Sequence, residues 1–322
     1  MEKIAFRDVT KSFNGREAVK NISFQIREGE TLVLVGTSGC GKTTTLKMIN
    51  RLVEPTSGLI ELEGRNISEY SIIALRRGIG YVIQSIGLFP HMTIEQNIGI
   101  IPELNKWPKE KIAERVEALL NVVGLDPNTY GERYPAELSG GQQQRIGVAR
   151  ALAADPPIIL MDEPFGALDP ITREQLQNEL LGIIRTIKKT IVFVTHDIFE
   201  AIRLADRIAL MDKGQIIQIG SPKEIVEKPA NEYVKDFLGR HHFQLALLMT
   251  RLEELMTVAH KSSISDRDVS PAGLRPEDSV LDALNYLRNN ETDEIAIRDS
   301  SNHLQGIVSR AAVRDKILED LL

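Results

Sequence analysis

One short segment of this 322-residue chain has the side chains needed to hold a phosphate group. Residues 36–43 read Gly-Thr-Ser-Gly-Cys-Gly-Lys-Thr and fit the pattern G-x-x-x-x-G-K-[ST]. The three glycines let successive backbone N–H groups point at one anion, Lys42 neutralises phosphate charge, and the Thr43 hydroxyl is an oxygen ligand of the kind that Mg²⁺ accepts. The segment therefore predicts a nucleotide-binding loop.

Polar side chains also follow two apolar runs that are typical of buried strands. Asp162 and Glu163 follow residues 158–161, and His196 follows residues 191–195. In an α/β sheet the carboxyl ends of the strands lie at the edge where ligands bind, so we expect these side chains near the glycine loop. Phosphoryl transfer requires a metal holder and a group that orients the attacking water, and two adjacent acids at a strand end can supply both.

A second helix terminus able to bind an anion is predicted at residues 138–142, which read Leu-Ser-Gly-Gly-Gln. Ser139 is a favoured residue type for a helix N-cap, and residues 142–155 have helical composition. One nucleotide site needs only one phosphate loop. The second terminus must therefore have a role of its own.

The elements that must position these groups alternate between strand and helix. The apolar run 31–35 indicates a buried strand before the glycine loop, and residues 43–51 indicate a helix after it. A helical stretch that includes residues 110–123 separates Gln84 from Leu138. Together these segments predict an α/β fold.

In this order the motifs resemble those of the ATP-binding cassette (ABC) ATPases, over residues 1–240. The resemblance implies an α/β P-loop NTPase cassette with a mixed-sheet core and an α-helical subdomain at about residues 86–150. It implies that Asp162 holds Mg²⁺, that Glu163 is the general base, and that His196 contacts the γ-phosphate and the attacking water. Gln84 would join Mg²⁺ and water to the transport subunit.

The same resemblance assigns ATP and Mg²⁺ contacts to further residues. Phe13 occupies the place of an aromatic ring that stacks on adenine. The metal would be held by Thr43, Gln84 and Asp162. The phosphates would be bound by Gly36, Thr37, Ser38, Gly39, Cys40, Gly41, Lys42, Thr43 and Thr44.

A dimer is implied because the second helix terminus, in this family, grips the γ-phosphate bound to another copy of the cassette. The residues expected to reach that second copy, a homodimer partner, are Ser139, Gly140, Gly141, Gln142 and, in an inter-subunit loop, Asp169. The segment Phe89-Pro90-His91 resembles the part of the helical subdomain that receives a membrane subunit. A plain apolar turn that begins a helix is an equally weighted alternative.

Composition places limits on other functions. A formal net charge of −6 without a basic stripe argues against nucleic-acid binding. Apolar runs fall short of the ~20 residues that span a bilayer, so the chain is not expected to form the channel. Cys40 is the only cysteine, which excludes an internal disulfide and fits a reducing compartment. The resemblance to ABC ATPases implies a peripheral location, on the cytoplasmic face of the membrane.

The remainder of the chain changes in character. Residues 241–258 have the apolar spacing of one amphipathic helix, and with the polar segment 261–268 they predict a helical linker over 241–268. Residues 269–322 predict the order helix, strand, strand, helix, which resembles a single CBS motif, a small α+β domain. A sensor and a dimerisation cap are equally consistent with this tail.

The cassette together with the CBS-like tail most resembles the ATPase subunits of importers for glycine betaine, choline and related osmoprotectants. Such a subunit couples ATP hydrolysis to import through membrane permease subunits. A solute-binding protein supplies the solute to those subunits. The alternatives are an importer of another small polar solute such as an amino acid, an exporter-associated ATPase, and a non-transport ABC ATPase.

Overall fold

The computed structural model describes residues 2–84, 87–165, 177, 182, 184, 189–257, 274–290, 292–299 and 301–321. The chain divides into two compact units, Met1–Ser221 and Pro222–Leu322.

The first unit begins with a four-stranded antiparallel sheet in the order β2-β1-β4-β5. Its central strand β1 (Glu2–Phe13) pairs with β2 (Arg16–Arg27) on one side and with β4 (Ser57–Leu62) on the other. The short β5 (Arg65–Asn66) completes the sheet.

A second sheet, with the order β10-β9-β3-β8-β7-β6 in the described chain, forms the centre of this unit. Strands β3 to β9 of this sheet are mutually parallel, and β10 is antiparallel to β9. Every residue of β3, β7 and β8 is buried, as expected for parallel strands covered on both faces. The strands are β3 (Thr31–Gly36), β6 (Ile79–Val82), β7 (Ile158–Asp162), β8 (Thr190–Thr195), β9 (Arg207–Asp212) and β10 (Gln215–Gly220).

The core of the first unit lies between the two sheets. Leu32 and Leu34 alternate onto one face of β3, where they share a hydrophobic cluster with Leu46 and Ile49 of helix α1 (Lys42–Ile49) and with Phe6 of β1. This packing holds α1 against β3. The mixed sheets and helices confirm the predicted fold class of the cassette.

Among the described helices of this unit, most others lie between β6 and β7 in sequence. Helix α2 (Ile72–Arg77) precedes β6, and α7 (Ile198–Leu204) follows β8. A capping box between Thr93 and Gln96 starts the first helix of the intervening group. That group consists of α3 (Ile94–Leu104), α4 (Lys109–Val122), α5 (Pro127–Tyr130) and α6 (Gly140–Leu152).

The second unit combines helices with a two-stranded antiparallel sheet, β11 (Glu294–Arg298) and β12 (Leu304–Ser309). The predicted order helix, strand, strand, helix is confirmed. The helices are α8 (Pro222–Glu227), α9 (Glu232–Leu238), α10 (His242–Met249), α11 (Val280–Asn289) and α12 (Arg310–Leu321).

The single helix predicted over residues 241–258 is wrong. Helix α10 ends at Met249, and the following backbone becomes extended to bond with the start of α11. Val280 N donates to Thr250 O at 2.9 Å, and Leu252 N donates to Asp278 O at 2.9 Å. Apolar spacing could not predict this break, because the groups that cause it lie about thirty residues further along the chain.

The second unit begins at Pro222, which is earlier than the domain boundaries expected at 241 and 269. Leu247 and Leu252, from the predicted linker, lie in one hydrophobic cluster with Val280 and Ile295. Their burial makes this segment part of the second unit. The polar segment 261–268 lies outside the described residues.

Candidate active site

The glycine loop connects β3 to α1 along a path that only glycine can follow at two positions. A Cβ on Gly36, where φ is +154°, would lie 2.2 Å from Met211 O of β9. A Cβ on Gly41, where φ is +109°, would lie 2.6 Å from Ala18 O of β2. Backbone atoms cannot move away as side chains can, so neighbouring strands dictate these glycines.

Lys42, the first residue of α1, is held across the loop. Its Nζ donates to Gly36 O at 2.7 Å and to Thr37 O at 2.9 Å, and the residue is 4% exposed. The ammonium is thereby fixed beside the backbone N–H groups that the loop presents. Cys40 is also buried, and burial raises the pKa of its thiol. A protonated, inaccessible thiol is unreactive.

A hydroxyl and a carboxylate lie beside the loop. Thr43 Oγ1 donates to Asp162 Oδ1 at 2.8 Å, and Asp162 is 3% exposed at the end of β7. Burial raises the pKa of Asp162, opposed by the hydrogen bond from Thr43. A hydroxyl and a carboxylate are the hard oxygen ligands that suit Mg²⁺, so the donor set fits this metal.

Tyr81 is a neighbour of this pair that sequence reasoning missed, because it belongs to no motif. Its hydroxyl lies 3.5 Å from Asp162 Oδ2, and burial raises the pKa of the phenol. In the described part of the chain there is no group of three or more His, Cys, Asp or Glu side chains with metal-binding geometry. Of the three predicted metal ligands, Thr43, Gln84 and Asp162, only Asp162 is an acid.

Three predicted residues meet at the ends of three adjacent strands. Glu163 Oε2 accepts a hydrogen bond from Gln84 Nε2 at 3.2 Å and lies 3.4 Å from His196 Nδ1. Glu163 has φ of +42°, and its N–H donates to Val194 O of β8 at 3.0 Å. Strained non-glycine backbone is common at functional sites, and here the neighbouring strand holds it.

The predicted second helix terminus is formed as expected. Ser139 and Gln142 build a reciprocal capping box at the start of α6, with Gln142 N donating to Ser139 Oγ at 3.3 Å and Ser139 N donating to Gln142 Oε1 at 3.0 Å. Ser139 and Gly140 are exposed, whereas Gly141 is buried. Among the described hydrogen bonds, none joins this terminus to the glycine loop of the same chain.

The other residues predicted to contact ATP are mostly exposed. Phe13 is 46% exposed at the end of β1, with Lys11 Nζ 4.8 Å from the ring centroid. The loop residues Thr37, Ser38 and Gly39 are exposed, and Thr44 is half-buried. Asp169 lies outside the described residues.

The predicted docking segment is a surface turn that is held by hydrogen bonds. Buried Asn97 of α3 accepts from Phe89 N at 2.8 Å and donates to Phe89 O at 3.1 Å, Met92 O at 3.1 Å and Thr93 O at 3.0 Å. The turn presents Phe89, 41% exposed, and His91 to solvent. Sequence reasoning did not identify Asn97.

The ends of the parallel strands bring the glycine loop and the buried lysine together with a hydroxyl–carboxylate pair and a second acid. This arrangement is that of a P-loop nucleotide hydrolase. Comparison with known proteins narrows this class. The sequence profile of the ABC transporter family matches residues 19–166.

Two similar relatives are transport proteins. The glycine betaine/carnitine/choline transport ATP-binding protein OpuCA of Bacillus subtilis (strain 168) is 50% identical, over 95% of this chain and 78% of its own length. The osmoprotectant import ATP-binding protein OsmV of Salmonella typhimurium (strain LT2) is 45% identical, over 98% of this chain and 80% of its own length.

A solved structure agrees. The ATP-binding cassette MJ0796, dimeric in a post-hydrolysis state with ADP and Pi, aligns with a TM-score of 0.61 at 33% identity, covering 68% of this chain and 98% of that one. The chain belongs to the ATP-binding proteins of the ABC transporter family. Within the described residues, no helix combines the length and apolar character that crossing a membrane requires.

Proposed function

We propose that this protein is the ATP-hydrolysing subunit of an importer for osmoprotectants such as glycine betaine or choline. The observation that carries the hydrolase is the meeting of Gln84, Glu163 and His196 beside the Thr43–Asp162 pair. The choice of cargo is supported by the names of the relatives, which are glycine betaine, choline and osmoprotectant transport proteins.

Each site residue has a proposed role. Lys42 and the N–H groups of the loop bind the phosphates, and Phe13 stacks on adenine. Thr43, Gln84 and Asp162 would hold Mg²⁺, which when bound neutralises phosphate charge. Glu163 takes the proton from the attacking water.

The complete site is proposed to need a second copy of the chain. Ser139, Gly140, Gly141 and Gln142 are exposed or lie at a helix terminus without described bonds to their own glycine loop, and the similar cassette MJ0796 is dimeric. In the proposed homodimer they grip the γ-phosphate held by the partner, with Asp169 near the contact. ATP binding closes the dimer, and hydrolysis reopens it.

Membrane subunits are proposed to dock on the turn that contains Phe89, Pro90 and His91. The turn exposes aromatic side chains on a rigid support, which suits contact with a helix of another protein. The subunit would then lie at the cytoplasmic face of the membrane, and a solute-binding protein would act indirectly, through the permease. The CBS-like tail would tune the cycle or join two copies, and uptake at low and high internal salt separates these roles.

The test replaces the proposed base by its isostere. Glu163→Gln keeps an oxygen for Gln84 but loses the charge, so we expect ATP binding to persist while hydrolysis falls on the order of 10²- to 10⁴-fold. Exposed Glu132→Gln is the matched control. Uptake of glycine betaine and choline is measured in vesicles containing the neighbouring membrane subunits. Normal turnover by Glu163→Gln contradicts the catalytic assignment, and hydrolysis without uptake of either solute contradicts the cargo.

A further inference from the structure

The turn that follows β8 contains two buried polar side chains that the proposed chemistry does not use. Thr195, the last residue of the strand, is 2% exposed, and Glu200 of α7 is 6% exposed. Burying a carboxylate is costly unless it is hydrogen-bonded. The described hydrogen bonds of this buried acid join it to Thr195 and Gln177 and not to the residues proposed to react, so its burial needs an explanation of its own.

Both residues take part in one connected set of described hydrogen bonds. Thr195 Oγ1 donates to Glu200 Oε2 at 2.5 Å and accepts from Asp197 N at 2.9 Å. The other oxygen, Glu200 Oε1, accepts from Gln177 Nε2 at 2.8 Å. Asp197 in turn caps α7, since its Oδ1 accepts from Phe199 N at 2.8 Å. The first turn of α7 is thereby tied back to the end of β8.

His196 lies between Thr195 and Asp197 in sequence, yet few of the described contacts hold its ring. The His196 side chain is 55% exposed, and among the described interactions its ring has only the 3.4 Å contact with Glu163. Packing therefore does little to aim the ring. Its direction depends on the backbone at Thr195 and Asp197, which the Thr195 hydroxyl and Glu200 hold.

We propose that Thr195 and Glu200 are positioning residues for ATP hydrolysis, acting by aiming His196 at Glu163. The inference rests on the proposed function, in which Glu163 and His196 take part in the reaction. The Glu163 backbone is held separately, through Val194 O. Loss of the Thr195 hydroxyl should therefore misplace His196 while leaving the glycine loop intact.

The test is steady-state ATP hydrolysis by the full chain with Thr195→Val, Thr195→Ser and Thr190→Val. Valine keeps the shape of threonine without the hydroxyl, so we expect kcat to fall by roughly 10- to 100-fold, the cost of a small misplacement at a reacting centre, while KM for ATP stays within about twofold. Serine keeps the hydroxyl and should restore most of kcat.

Thr190 is the matched control. It lies at the opposite end of β8, is 1% exposed, and its hydroxyl also accepts a backbone N–H, that of Gly29 at 3.0 Å. Thr190→Val should lower the unfolding temperature but leave kcat within about twofold, since it lies away from the reacting groups. An equal loss of kcat in both valine variants overturns the proposal.

A double-mutant cycle with His196→Ala tests the route of the effect. If Thr195 acts through His196, Thr195→Val causes no further loss of kcat in the His196→Ala background. Multiplying losses overturn the proposal. If Thr195→Val does not fold, Glu200→Gln replaces it, because its amide has only one oxygen to accept from the two donors, Thr195 and Gln177. Unchanged kcat in Glu200→Gln also overturns the proposal. A wild-type chain that does not hydrolyse ATP contradicts the proposed function itself, and this inference with it.

Discussion

Replacing Asn97 should show how much of the stability of the surface turn depends on a single side chain. The Asn97 side chain makes four hydrogen-bond contacts with the turn, at 2.8 to 3.1 Å: its oxygen accepts one, and its two N–H groups are shared among three carbonyl oxygens. Asn97→Leu keeps the branching of the side chain and removes all four. Asn97→Asp retains the acceptor for Phe89 N and replaces the amide donor by an oxygen that faces three carbonyls.

The expected cost follows from the groups that lose their partners. Phe89 O keeps a hydrogen bond from Met92 N at 3.2 Å, and Thr93 O keeps one from Asn97 N at 2.9 Å. Among the described bonds, Phe89 N and Met92 O have no other partner. Two unsatisfied groups cost about 1–3 kcal/mol each, and local opening of the turn limits the sum, so we expect roughly 2–4 kcal/mol for Asn97→Leu. Asn97→Asp should cost at least as much, because like-charged oxygens meet.

The assay is urea unfolding and thermal unfolding of the full chain, followed by uptake in vesicles. A loss of 2–4 kcal/mol corresponds to a fall of roughly 5–15 °C in unfolding temperature for a unit of this size. Asn121→Leu, an exposed asparagine late in α4, is the matched control. A loss below about 1 kcal/mol in both Asn97 variants would refute the account, because it would mean that the four bonds contribute little.

Two further predictions concern the glycine loop. Gly36→Ala should prevent folding or abolish ATP binding, because its Cβ would lie 2.2 Å from Met211 O. Gly39→Ala has nothing within 4 Å of its Cβ, so it should lower the stability by only about 1 kcal/mol, because of its positive φ. Circular dichroism and nucleotide binding compare the two variants, and equal behaviour contradicts the steric argument. Since burial raises the pKa of Cys40, iodoacetamide should react with the native thiol far more slowly than with the urea-unfolded chain, and the native rate should rise only at higher pH, where the thiolate forms; equal rates at neutral pH would disprove it.

Much of the fold and site follows from local sequence. The strands that end at Gly36, Asp162 and Thr195 are continuous apolar runs, and such runs remain strands because both faces of a parallel sheet are buried. The glycine loop and the Ser139 cap are equally local, since their geometry depends on residue types a few positions apart. These segments sufficed to predict the nucleotide-binding loop, the acids and the family.

Tertiary structure decided what depends on contacts distant in sequence. Residues 241–258 have helical spacing, but bonds to Asp278 and Val280 end the helix at Met249. Tyr81 and Asn97 acquire their roles only through partners that no motif indicates. The 3.4 Å separation of Glu163 and His196 likewise arises from strand order, because β7 and β8 become neighbours only when the sheet assembles. Sequence therefore determined which chemical groups are present, and packing determined which of them touch.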